Sequence, residues 1–156
     1  MTKEVIKEAF VDFYTAEKLK EKGWNQNTMA SYVSGEFAFL MWYNPDKGET
    51  DHMILHNGDF IDPNDRTMPN CEVINGHCVA APTHGMVLEW FRRNGVYVSV
   101  KPCIVNGKLM DRAEIEYITK YGSLVTAAAF EGRDYKRATE KAILYVLDNF
   151  TLENVL

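Results

Sequence analysis

Cysteine is scarce in this chain, with three residues, Cys71, Cys78 and Cys103, among 156. An odd, widely spaced set does not form the disulfide framework of a small secreted domain; reduced thiols in a cytoplasm fit it best. Long apolar runs are also missing. No stretch approaches the roughly 18 residues of a membrane-spanning helix, and the opening Met-Thr-Lys-Glu-Val-Ile-Lys-Glu is charged where a signal peptide is apolar. Positive charge is in deficit as well: 17 Lys and Arg against 22 Asp and Glu leave a formal charge of −5, so the chain as a whole does not attract a phosphate backbone. A nucleic-acid partner would need a local basic patch. Neither a Gly-rich phosphate loop nor a G-x-S-x-G elbow occurs. These absences predict a cytoplasmic protein with no membrane partner and disfavour nucleic acid.

What is present is ordinary globular material. Hydrophobic residues make up 46% and charged residues 25%, enough apolar surface to exclude a disordered chain. A domain of this length buries roughly 70% of the surface its unfolded chain exposes, so no staple is required. Residues 1–156 read as a single domain, with 1–12 as a candidate separate helical arm.

The clearest stretch runs from Pro82 to Val105. Thr83 is placed to cap a helix, Met86, Val87, Trp90 and Phe91 lay an apolar stripe along it, and Asn94-Gly95 ends it. Val96, Val98 and Val100 then alternate with polar residues, which is the period of a strand. Upstream, Thr2 to Lys22 has helical composition and reads either as one helix or as two pieces, the second capped by Thr15 and stopped at Gly23. Met29–Val33 and Glu36–Tyr43 favour strands, and the second, apolar on both faces, is expected in the centre of the sheet. Asn44-Pro-Asp-Lys-Gly48 forms a turn, Met53–Leu55 a short strand, and Glu49 to Gly76 is otherwise a long irregular loop. Downstream, Asn106-Gly107 marks a hairpin into a strand over Ala113–Thr119. Leu124–Phe130 supplies a third strand, although its alanines also suit a helix. Asp134 caps a last helix whose inward stripe is Tyr135, Ala138, Ala142, Tyr145 and Val146, with Lys136, Glu140, Lys141 and Asp148 outside.

Several groups of residues suggest chemistry. Cys71, His77, Cys78 and His84 are zinc-type ligands, with His52 and His56 four apart upstream; thiolate and imidazole suit a borderline ion. Their spacing departs from the Cys-x2-4-Cys knuckle of structural zinc sites, so surface or helix-entry polar residues are the plainer reading. Cys78 or Cys103 with His84 can be written as a nucleophilic pair, but no local motif supplies the third, orienting group. Asp59, Asp62 and Asp65 match a calcium loop only in part, because Asn64 and Asn70 stand where Gly and Glu are needed. Arg92 and Arg93 could contact nucleic acid, yet cations at a helix C-terminus are favoured by its dipole alone.

Pro82-Thr83, Leu88-Glu-Trp90-Phe-Arg92, the alternating Val96–Val100 strand and Tyr135-x-x-Ala138-x-x-x-Ala142 together resemble a family of uncharacterised small proteins from gut-bacterial prophages and mobile elements. The likeness covers roughly the last half of the chain. In that family a Pro-Thr step opens a helix, a strand pair follows, and the C-terminal helix starts at a Tyr-x-x-Ala motif. Phe91 replaces the usual Leu, and Cys71 to Cys78 has no counterpart. The resemblance implies a prophage-derived accessory protein and carries over no catalytic residue.

The expected fold is therefore α+β, with an antiparallel sheet of four or five strands and helices mainly on one face. The expected function is a non-enzymatic interaction module acting on a protein partner through the Glu49 to Gly76 loop or the sheet edge, with no cofactor, homo-oligomerisation being left open. A Cys/His metal-binding or thiol enzyme and a nucleic-acid-binding protein are the alternatives.

Overall fold

The structure is a computed structural model, and it describes residues 10–24, 26, 28, 30–33, 36–39, 71–73 and 76–152. The chain divides into two compact units, Asp12–Pro82 and Met1–Val11 with Thr83–Leu156.

In the first unit, helix α1 spans Phe13–Glu21 and starts after Asp12. The candidate start at Thr15 is not used. Thr15, Ala16 and Leu19 follow the i, i+1, i+4 spacing of one helical face and are all buried, which places Thr15 inside the helix. The expected stop at Gly23 holds, with the Gly23 and Trp24 amides donating back to Lys20 and Leu19. Residues 1–9, most of the expected N-terminal arm, lie outside the described residues. A four-stranded antiparallel sheet follows, built from β1 (Ala30–Val33), β2 (Glu36–Phe39), β3 (Cys71–Val73) and β4 (Gly76–Ala80) in the order β2-β1-β4-β3. Helix α1 lies against β4, and the Phe13 ring meets the Tyr32 ring edge-on at 5.4 Å.

Half of the expected strand Glu36–Tyr43, residues 40–43, lies outside the described residues, and the loop expected through Gly76 needs correcting. Among the described residues β2 is at one end of the order, and β1 and β4 hold the centre. Apolar residues on both faces report what covers a strand above and below, not which strands flank its edges. The hairpin of β3 and β4 falls where an irregular loop is expected through Gly76. Val73 and Gly76 are its closing register partners, so two residues link the strands. The turn at Asn44–Gly48, the strand at Met53–Leu55, and His52, His56, Asp59, Asp62 and Asp65 lie outside the described residues.

The second unit contains α2 (His84–Arg93), β5 (Val96–Val105), β6 (Lys108–Ile118), β7 (Leu124–Gly132) and α3 (Tyr135–Asn149). Its boundaries follow from local chemistry. Thr83 Oγ1 accepts from the Met86 amide at 3.2 Å and Asp134 Oδ1 from the Arg137 amide at 2.9 Å, so both predicted caps are made. Asn106 and Gly107 have φ of 49° and 76°, the positive pair that a two-residue type I′ hairpin turn demands. Strands β5, β6 and β7 form an antiparallel meander in that order. Ile115 pairs with Ala128 and Glu116 with Thr126, so Ala127 is the extra residue of a β-bulge.

Helices α2 and α3 touch each other and both lie on this sheet, which puts them on one face. Alternation along β6 shows which face. Ala113 and Ile115 are fully buried, while Arg112 and Glu114 point away and join Lys101 and Glu131 in surface ion pairs. Phe91, Ile143, Val146 and Leu147 complete the core from the helices, and each large apolar side chain contributes about 1.5–3 kcal/mol by leaving water. At Gly132, where β7 ends, a Cβ would lie 2.5 Å from the Ala138 nitrogen, so the close approach of α3 requires glycine.

Ala138, Ala142 and Val146 of the expected α3 stripe are fully buried, and two positions depart from it. Glu140 is buried and Tyr135 is exposed, because Glu140, Ile143 and Leu147 fall at i, i+3 and i+7 on the inward face. The α+β character is as predicted. Among the described residues the strands fall in a four-stranded and a three-stranded sheet, beside the one sheet of four or five that the sequence predicts; alternation identifies strands and not their partners.

Candidate functional site

Among the described residues, one group of exposed apolar side chains lies where β6 turns into β7. Thr119 organises the turn: its carbonyl accepts from the Gly122 amide at 2.9 Å, its amide donates to the Ser123 carbonyl at 2.8 Å, and its hydroxyl accepts from the Ser123 amide at 3.2 Å. This lifts Tyr121 to the tip, where it is 83% exposed, with Lys120 Nζ 5.0 Å from its ring centroid. Ile118 and Leu124 are register partners on either side of the turn, 49% and 58% exposed. They lie on the sheet face away from the helices, beside Tyr121. Three exposed apolar residues together are unusual on a polar sheet face and mark an interaction surface better than scattered ones.

The patch adjoins a free edge. Among the described residues β7 is paired on one side only, by β6. Leu124 to Phe130 carries no charge and no proline, whereas the other edge strand, β5, has Lys101 and Pro102 midway along it. Charge and proline block strand addition, so β5 is protected and β7 is not. The bulge at Ala127 interrupts the regular edge, and Lys141 Nζ already occupies the Glu131 carbonyl at 2.7 Å. The usable part is therefore Leu124–Thr126, the end that holds the apolar patch.

A second feature sits at the start of α2. His84 is buried, and its Nε2 lies 2.9 Å from Glu140 Oε1 on α3. A carboxylate oxygen accepts, so this bond assigns a proton to Nε2. His84 Nδ1 is also buried and has no hydrogen-bond partner among the described residues. The Tyr135 ring lies at 6.3 Å, tilted by 40°. His84 stands at the helix entry, one of the two plain readings of its position, but it is buried, and Glu140, expected outside, is buried too; the i, i+3, i+7 spacing of Glu140 with Ile143 and Leu147 is the signal that turns it inward.

The expected metal set is divided between the two units. Cys71 and Cys78 are directly opposed across β3 and β4, and His77 is opposed to Glu72. His84 belongs to the other unit, with one ring nitrogen engaged by Glu140. Among the described residues no three His, Cys, Asp or Glu side chains converge as metal ligands. Cys103 is a free thiol opposite Met110. Arg92 and Arg93 are exposed at the end of α2, but both stand within 4.0 Å of Glu89, and Arg92 also lies over the Tyr97 ring at 5.7 Å.

No helix among the described residues is long and apolar enough to cross a membrane. Comparison with protein-family models, curated proteins and solved structures gives no match.

Proposed function

We propose that this chain is a small cytoplasmic accessory protein of prophage or mobile-element origin that acts without catalysis by binding a protein partner. The partner lays an extended segment along β7 at Leu124–Thr126 and covers Tyr121, Ile118 and Leu124. One observation carries the reading: an exposed apolar patch adjoins a strand edge that lacks the charge and proline present on the opposite edge. Main-chain hydrogen bonds along such an edge supply affinity, and the flanking side chains supply selectivity. An exposed tyrosine beside aliphatic residues suits the anchor of such a contact.

The test is affinity purification of the tagged full chain from its native host with mass spectrometry, beside a Tyr121→Ala, Leu124→Lys variant whose fold is checked by circular dichroism. A partner recovered with the parent chain and lost with the variant supports the reading. Equal recovery with both places the contact elsewhere. Turnover of a hydrolase substrate panel that disappears in Cys78→Ala would replace the reading with a thiol enzyme.

A further inference from the structure

Two of the three cysteines occupy paired positions in the β3–β4 hairpin. Cys71 and Cys78 are register partners on adjacent antiparallel strands, two steps from the closing pair Val73 and Gly76. Opposed residues in an antiparallel ladder have Cα atoms about 5.5 Å apart in a hydrogen-bonded pair and about 4.5 Å apart in a non-hydrogen-bonded pair. A disulfide is accommodated at Cα separations of about 4.4–6.8 Å, so either kind of pair falls within its reach. Cys103 has Met110 opposite it and no cysteine. The spacing along the chain that argues against a zinc knuckle is the spacing that a tight hairpin brings together.

We infer that Cys71 and Cys78 form a redox-responsive dithiol, which closes to an intramolecular disulfide on exchange with a low-molecular-weight disulfide such as oxidised glutathione. One cysteine thiolate attacks a sulfur of the small disulfide, giving a mixed disulfide and releasing one small thiol. The second cysteine thiolate then attacks the protein sulfur of that mixed disulfide and releases the second small thiol. Two protein thiols are oxidised, one small disulfide is reduced to two thiols, and the two protons lost from the cysteines are taken up by the released thiolates. The product ties β3 to β4 across the turn.

The experiment uses the full-length Cys103→Ser chain, treated with a chelator, equilibrated with a series of reduced and oxidised glutathione mixtures, and quenched with a maleimide. The proposal expects two reactive thiols under reducing conditions and none under oxidising ones, with the chain monomeric on a non-reducing gel. Cleavage after Glu72, which lies between the two cysteines, should leave the flanking peptides joined until a reductant is added. In the parent chain Cys103 should remain reactive throughout. Persistence of two thiols in the variant, two separate glutathione adducts, or disulfide-linked dimers would each overturn the proposal.

Discussion

His84 Nε2 lies 2.9 Å from Glu140 Oε1, joining the first residue of α2 to α3 across 56 positions of sequence. Both residues are buried, so each would leave a desolvated polar group behind if its partner were removed. His84→Ala and Glu140→Ala should each destabilise by about 2–4 kcal/mol. A double-mutant cycle in urea should give a coupling of about 1–3 kcal/mol, since the residues are in contact. Coupling near zero would mean that the pair is geometrically close but energetically independent. Replacing both by leucine should cost less than either single change, because no buried polar atom of the pair is then orphaned.

The legibility of this fold follows from the range of the interactions. Thr83, Asp134 and the Asn106-Gly107 pair each act within a few residues, through a hydroxyl, a carboxylate or a positive φ, and all four positions behave as the sequence predicts. Glu140 was misplaced because a charged residue is assigned to solvent by default, and nothing local reveals that His84 waits on another helix. The position of β2 in its sheet is likewise non-local. The candidate surface was half visible: Leu124–Phe130 reads as a strand, but the exposure of Ile118 and Leu124 depends on helices that cover only the opposite face. The Cys71–Cys78 register is not legible among the turn formers that precede it, because it depends on which strands pair.

Gly132 and Gly107 should respond differently to alanine. At Gly132 the new Cβ meets backbone atoms of α3, the Ala138 nitrogen at 2.5 Å and its Cα at 3.0 Å, which no rotamer change relieves. Gly132→Ala should cost about 2–3 kcal/mol or more by forcing α3 away from β7. At Gly107 nothing lies within 4 Å, so only the positive φ of 76° is strained and Gly107→Ala should cost about 1 kcal/mol. Thermal or urea unfolding of the two variants side by side checks the order.

The helix caps offer a graded test. Thr83→Ala and Asp134→Ala each remove one acceptor from a first-turn amide and should cost about 1 kcal/mol. Thr83→Ser and Asp134→Asn keep an acceptor and should stay within about 0.5 kcal/mol of the parent. Equal losses for the alanine and the conservative variants would show that packing, not capping, is being measured.

Arg92 and Arg93 decide whether nucleic acid belongs among the partners. Glu89 lies 4.0 Å from Arg92 Nε and 3.5 Å from Arg93 Nε, so one carboxylate partly offsets both guanidinium charges. All of these side chains are more than half exposed, which leaves the pairs weak and open to competition by phosphate. The formal charge of −5 acts against that competition at longer range. The full chain should therefore pass through a nucleic-acid column at about 0.15 M salt without retention, where the screening length is about 8 Å. Glu89→Gln removes the neighbouring carboxylate and should delay elution at low salt if the two arginines face the column. Retention of the parent chain that is salt-dependent and lost in Arg92→Ala, Arg93→Ala would restore the nucleic-acid reading, because each phosphate contact steepens the salt dependence by about one unit of slope.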